Sequence, residues 1–383
     1  MESLYGDGIH DDTAAIQARL DEDGKRIELP DAVDCYLISR TLKIHSGQEL
    51  VLPRFCRVKL AGMSNCTMLE NADPDSRDSD IQVTGGIWDL NNLEQLPNPF
   101  QFAHDAVPDY SGNAMIFRNI KRLRLANLTF KDPTTFACTL DGVTYFSIED
   151  INFDFNYGNP LAQNMDGIHL NGNCHFGLIR NLKGACYDDL VALNADEGSA
   201  GPISNIRLDG IFATDCHSAV RLLSDCYPVT NIHISNVFGT FYVYCITLSK
   251  YYDRCKLGRY DGIVIDNIFA AKAVNKPVYG KADDFYRSLP LIYVEAKVDV
   301  GHLAIRDVHR IEENLAIETL RIDRESVVHN LILENISVEN HTGQPFLLLH
   351  NCGEIGQLHT SLLDAGTDKL MLNEGFIRKH TQA

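Results

Sequence analysis

The sequence predicts an all-β fold: a right-handed single-stranded parallel β-helix, a solenoid of about ten coils with an N-terminal capping helix. Three observations predict it. One short phrase recurs along the chain, its apolar residues alternate with period two, and Asn-Gly hairpin turns are scarce.

The phrase is an alternating strand, then a polar residue, often Asn or Asp, then an apolar one. It reads RLRLANLTF, YFSIEDINF, FGLIRNLKG, NIRLDGIFA, NIHISNVFG, GIVIDNIFA, HLAIRDVHR and NLILENISV. Its anchors are Leu128, Ile151, Leu182, Ile211, Val237, Ile268, Val308 and Ile336, spaced by 23 to 40 residues. A constant strand with variable spacing suits coils that share sheets and differ in loop length. Helical repeats would instead place apolar residues at i, i+3, i+4 and i+7. RVKLAG near Leu60 and QVTGGIW near Ile87 extend the pattern upstream. A Greek-key sandwich would need a turn signal about every 8 to 12 residues.

The remaining elements follow from what a stack of strands requires. Its open ends need covers. Asp12-Thr13 before AAIQARL predicts a capped helix, within a cap of residues 1–24, that turns Ala14, Ala15, Ile16 and Leu20 toward the first coil. KLMLNEGFIRKH is expected to close the other end. Two insertions, 91–112 with Phe100, Phe102, His104 and Tyr110, and 272–288 with Lys276, Tyr279, Lys281 and Arg287, are long enough to flank a cleft. Trp88 in GGIWDLNN is expected in the core, and the whole chain, 1–383, is expected to form one β-helix domain.

Composition narrows the function. The chain is 45% apolar and 22% charged, and its 34 Lys and Arg against 52 Asp and Glu give a net charge of −18. That field repels nucleic acid and anionic lipid, so neither is an expected partner. No apolar run reaches about 18 residues. The opening MESLYGDGIHDD lacks a basic segment followed by an apolar one, which predicts a cytoplasmic chain unless a leader has been trimmed. Eleven Cys are scattered without CxxC pairs, so free buried thiols, with no metal and no cofactor, are expected.

The chemistry concentrates between Asn164 and Arg221. NMDGIHLNG places Asp166 ahead of an apolar strand, and YDDLVALNADEG places Asp188 and Asp189 in the same position 22 residues later. Residues one coil apart in a parallel stack lie about 4.8 Å apart, so three carboxylates are expected to share one patch. Like charges that close divide into a protonated acid and an ionised base. Glycoside hydrolysis needs that division. His217 in DCHSAVRLLS falls one coil later and is placed to tune the acid. Arg221 and Lys250 supply positive charge for a uronate, and Asn164 and His169 are further candidates for substrate binding. Any one of these residues alone would read as turn chemistry.

At these residues the sequence resembles glycoside hydrolase family 28, the polygalacturonase family of β-helix enzymes. NMDGI resembles its NTDG motif, YDDLVALN its GDDCVAIN motif and GGIWDLNN its GGxIDG turn, while GDGIHDDTAAIQ resembles a signature shared across pectin-active β-helix proteins. The resemblance implies an inverting hydrolase in which Asp188 is the general acid and Asp166 and Asp189 activate water. His217 matches the family's histidine, with Cys-His-Ser where the family has Gly-His-Gly. The family's Arg-Ile-Lys motif is not intact: TLSK, ending in Lys250, and RLL, beginning at Arg221, lie in its region. The expected substrate is a uronic-acid-containing oligosaccharide of galacturonide or rhamnogalacturonan type, cleaved by exo action. A calcium-dependent lyase, with the three Asp as ligands and Arg221 as base, and a non-catalytic glycan-binding β-helix of adhesin or tail-fibre type are the alternatives.

Overall fold

The computed structural model describes residues 3–22, 24–102, 110–273, 287–366 and 368–382. Strand makes up 55% of the described residues and helix 3%, as a parallel β-helix requires. Contacts divide it into two compact units, residues 1–170 with 174–188 in the first, and 171–173, 189–277 and 281–383 in the second.

In the first unit three parallel sheets grow coil by coil. One pairs Glu49–Val51 with Ser79–Thr84, then Lys121–Ala126, Thr144–Asp154 and His175–Gly184. A second runs through Cys35–Ile38, Arg57–Leu60, Ile87–Asp89 and Thr129–Lys131. The third stacks Leu42–Ile44, Leu69–Asn71, Met115–Arg118, Cys138–Asp141 and Ile168–Leu170. The second unit repeats the plan. Its third sheet orders Asp189–Asn194, the end of Ile203–Leu223, the end of Val229–Ser249, Ile292–Val294, Leu320–Ile322, Leu347–Asn351 and Lys369–Asn373.

The repeated phrase marks one corner of the coil. Ile151 stacks on Leu182, and Ile211, Val237, Ile268, Val308 and Ile336 stack in order, all buried. The polar residue before seven of the eight anchors turns the chain in the left-handed region: Asn127, Asp150, Asn181, Asn236, Asn267, Asp307 and Asn335 have φ between 51° and 60°, and Gly210, at 91°, does so before Ile211. Asn and Asp tolerate that conformation because their side chains bond locally. Here they also bond one another, as in Asn335 to Asp307 and Asn267 to Asn236, each at 2.5 Å.

The predicted cap forms the helix Thr13–Leu20, which buries Thr13, Ala15, Ile16 and Leu20. Ala14 is exposed rather than turned to the coil, because it falls outside the stripe that Ile16 and Leu20 define. Asp12 does not cap the helix with its side chain. Its carboxylate accepts the Tyr5 and Gly6 N–H groups at 2.6 and 3.1 Å, while Asp11 takes the Thr13 N–H at 2.8 Å. At the other end KLMLNEGFIRKH continues the stack as the strands Lys369–Asn373 and Phe376–Gln382, so it adds a largely exposed rung and does not close the edge.

Trp88 is fully buried, its indole N–H donating to Gly85 O at 3.2 Å, as the core assignment predicts. The cysteines differ from expectation. Nine are not disulfide-bonded, but Cys226 and Cys255, 29 residues apart, are joined by a disulfide with their Cα atoms 5.3 Å apart. Coil-to-coil stacking brings these turns together, which scattered spacing in the sequence does not reveal. Among the described residues no helix is long and apolar enough to cross a membrane. His104 in the first insertion, and Lys276, Tyr279 and Lys281 in the second, lie outside the described residues.

Candidate active site

In the first unit, Asp166 precedes the strand Ile168–Leu170, whose main chain pairs with Cys138–Asp141. Asp166 Oδ2 lies 2.7 Å from His169 Nδ1, both side chains almost fully buried. A carboxylate only accepts, so this contact places a proton on Nδ1 and fixes the ring. The other side of His169 is set by stacking on Phe136, 4.0 Å between centroids at 8°. Phe136 in turn meets Phe100 of the first insertion at 5.5 Å. The insertion is tied down by Asn98, whose amide donates to Gln163 O at 2.6 Å, and by Gln101, which donates to Asn164 Oδ1 at 3.2 Å. Asn164, two positions before Asp166, therefore anchors this loop.

In the second unit, Asp189 opens the strand Asp189–Asn194 and stacks on Ser218, which stacks on Tyr244. The Asp189 side chain is 2% exposed and receives the Tyr244 hydroxyl at 3.0 Å, with Arg221 Nη1 at 3.8 Å. His217 sits where the register of its strand shifts, between Cys216 paired with Phe241 and Ser218 paired with Tyr244. Such a bulge re-aims one side chain without ending the sheet. One His217 ring nitrogen and one Asp189 oxygen lie within 4.8 Å, and His217 Nδ1 contacts Ser218 Oγ at 2.9 Å. Asp188, the residue before Asp189, is half-buried and more open to solvent than its neighbour.

Arg221 keeps 20% of its side chain exposed, donates to Ser249 Oγ at 3.2 Å and lies 5.3 Å from the ring centre of the exposed Tyr251. Arg221 is thus partly open to solvent, whereas Lys250 is not. Its side chain is 2% exposed, its ammonium sits 2.5 Å from Asp225 Oδ1 and donates to Tyr252 O at 2.6 Å. The expectation of a substrate-facing Lys250 is corrected: the fully buried Asp225 needs that charge to balance its own.

Sequence reasoning missed Tyr244, Tyr251 and Phe136. Tyr244 lies 26 residues after Ser218, one coil on, which is the only signal that marks it. A recess of about 550 Å³ in the first unit, lined by Gln82, Arg122, Arg124, Tyr145 and Phe176 among others, includes neither Asp166 nor His169. Its lining holds no acid–base pair of the kind seen at Asp166 and His169.

No protein-family model and no curated protein sequence matches the chain. Solved structures do. The endo-xylogalacturonan hydrolase of Aspergillus tubingensis is similar at 14% identity and a TM-score of 0.59, over 97% of this chain and 98% of that one. The family 28 exopolygalacturonase of Yersinia enterocolitica gives 13% and 0.58, over 97% and 76%. The surface adhesin PfbA of Streptococcus pneumoniae gives 16% and 0.54, over 94% and 91%. At these identities the likeness is one of fold, the right-handed parallel β-helix. That fold serves both glycan-cleaving enzymes and an adhesin.

Proposed function

We propose that the protein is a glycoside hydrolase that cleaves a uronic-acid-containing oligosaccharide with inversion. The observation that carries the reading is the setting of Asp189. It is a buried carboxylate oriented by Tyr244 and near Arg221, with His217 turned toward it by a bulge. Structural turn residues need no such set of partners.

In this reading Asp188, the more exposed of the pair, holds a proton and delivers it to the leaving glycosidic oxygen. Asp189 accepts a hydrogen bond from a water and draws its proton as it attacks the opposite face of the sugar, the base role that the resemblance also implies for Asp166. His169 fixes the Asp166 carboxylate, and His217 lies beside Asp189. Arg221 binds the substrate carboxylate, and Tyr251 offers an apolar face to a sugar ring. In this reading the enzyme acts from a chain end, with the insertion that packs Phe100 on Phe136, beside His169, limiting access to longer chains.

The test is reducing-end release from a panel of uronic and neutral oligosaccharides, with the first-formed anomer read by NMR. The reading predicts release from galacturonides, inverted configuration and monosaccharide before any loss of polymer viscosity. An unsaturated, ultraviolet-absorbing product abolished by a chelator would identify a lyase instead. Tight glycan binding with no cleavage, unchanged in Asp188→Asn, would identify a binding protein.

A further inference from the structure

Far along the second unit, three donors of different chemistry meet at one point. His350 lies in the strand Leu347–Asn351, and Cys352 follows two positions later, on the same side of an extended chain. Glu374 lies in the turn between the last two strands, where its own N–H donates to Asn351 O at 2.8 Å. Cys352 Sγ is 3.2 Å from His350 Nε2 and 3.9 Å from Glu374 Oε2, and His350 Nε2 is 3.4 Å from the same oxygen. Zinc bonds of about 2.0 to 2.3 Å to N, O and S in a tetrahedron give donor-to-donor edges of about 3.3 to 3.6 Å. The three edges, 3.2, 3.4 and 3.9 Å, bracket that size.

A second observation comes from the opposite side of the ring. His350 Nδ1 lies 2.9 Å from Glu318 Oε1, and Glu318 is itself held by Arg321 at 2.7 and 2.9 Å. A carboxylate paired with a guanidinium only accepts, so the proton of the ring resides on Nδ1. Nε2 then presents a lone pair toward a carboxylate 3.4 Å away, an arrangement that repels unless a cation or a second proton lies between them. A carboxylate behind the distal nitrogen is what orients histidines that bind metal.

We infer that His350 Nε2, Cys352 Sγ and Glu374 form a site for a divalent transition metal, with Zn²⁺ the ion that fits. The mixed nitrogen, sulfur and oxygen set favours zinc over calcium or magnesium, which prefer oxygen alone. Thiolate and carboxylate together neutralise a divalent charge, while Glu318 is balanced by Arg321. Metal capture expels the Cys352 thiol proton to solvent, so it weakens as pH falls. Glu374 is 52% exposed, which leaves a fourth position to water. The ion would clamp the exposed final turn onto the coil before it.

The test uses the full chain after chelator treatment. One equivalent of Zn²⁺ is expected to slow iodoacetamide alkylation of Cys352, read on its own peptide by mass spectrometry. One equivalent of Co²⁺ is expected to give a thiolate-to-cobalt charge-transfer band. Glu374→Gln, at an exposed side chain, should reduce the protection without affecting folding, and Glu318→Gln should weaken Zn²⁺ binding about 10- to 100-fold. An alkylation rate unchanged by Zn²⁺, or protection that survives His350→Asn, overturns the site. The cluster is then a set of side-chain contacts among His350, Cys352, Glu318 and Glu374 and nothing more.

Discussion

The Tyr244 hydroxyl reaches past the intervening Ser218 strand to donate to Asp189 Oδ1 at 3.0 Å. This bond orients a carboxylate that has almost no contact with solvent. A hydrogen bond to a charged group contributes about 1.5 to 3 kcal/mol.

Tyr244→Phe removes the donor and keeps the ring. We expect kcat to fall about 10- to 100-fold, since each 1.4 kcal/mol or so is a factor of ten. KM should change little. Steady-state kinetics on the best substrate of the panel checks this, and an equal loss in Asp188→Asn/Tyr244→Phe relative to Asp188→Asn would show independent roles.

Arg221 and Lys250 separate by burial. Lys250→Met leaves Asp225 charged, buried and without its ion-pair partner, which costs about 3 to 5 kcal/mol. A large drop in thermal midpoint with KM unchanged is the expected result. Arg221→Ala should instead raise KM for uronides while the melting temperature holds within a few degrees.

Lys272 gives the fold a pH dependence of defined sign. Its side chain is buried, its ammonium donates to Val243 O and to Leu289 O at 3.0 Å, and burial, reinforced by Arg310 against the opposing pull of Glu312, pushes its amine down to about 7. Between about pH 7 and the ordinary lysine value the unfolded chain binds more protons than the folded one, so stability from this group rises with pH. Below pH 7 both states are protonated and the penalty is complete. Chemical denaturation across that window should show the rise, and Lys272→Met should flatten it.

The turn ladder predicts an inversion of the usual residue ranking. Asn267 has φ of 55° and bonds to Asn236, so Asn267→Ala should cost about 1 to 2 kcal/mol in backbone strain besides the lost bond. Asn267→Gly, which adopts that conformation freely, should be less harmful. Denaturant midpoints of the two variants decide it.

The sequence displayed the winding because each coil repeats one physical need. An apolar anchor such as Ile268 must fill the corner, and a residue such as Asn267 must turn the chain left-handed just before it. The acids were legible because Asp166 and Asp188-Asp189 interrupt that pattern at matching positions. Contacts that span coils of unequal length were not. Cys226 and Cys255 meet across 29 residues, Tyr244 crosses two coils to Asp189, and Lys250 turns inward to an Asp225 that resembles any other turn residue. His350 and Cys352 share a strand face in the sequence, but Glu374 joins them only once the last coil is wound.

The most direct test compares kcat for Asp188→Asn and Asp166→Asn with the parent on the galacturonide cleaved fastest, with folding checked by circular dichroism. The account predicts that both variants fold and that each loses at least about a thousandfold, since acid and base each contribute about 10² to 10⁴. A folded variant of either residue that keeps a tenth or more of the parent rate contradicts it.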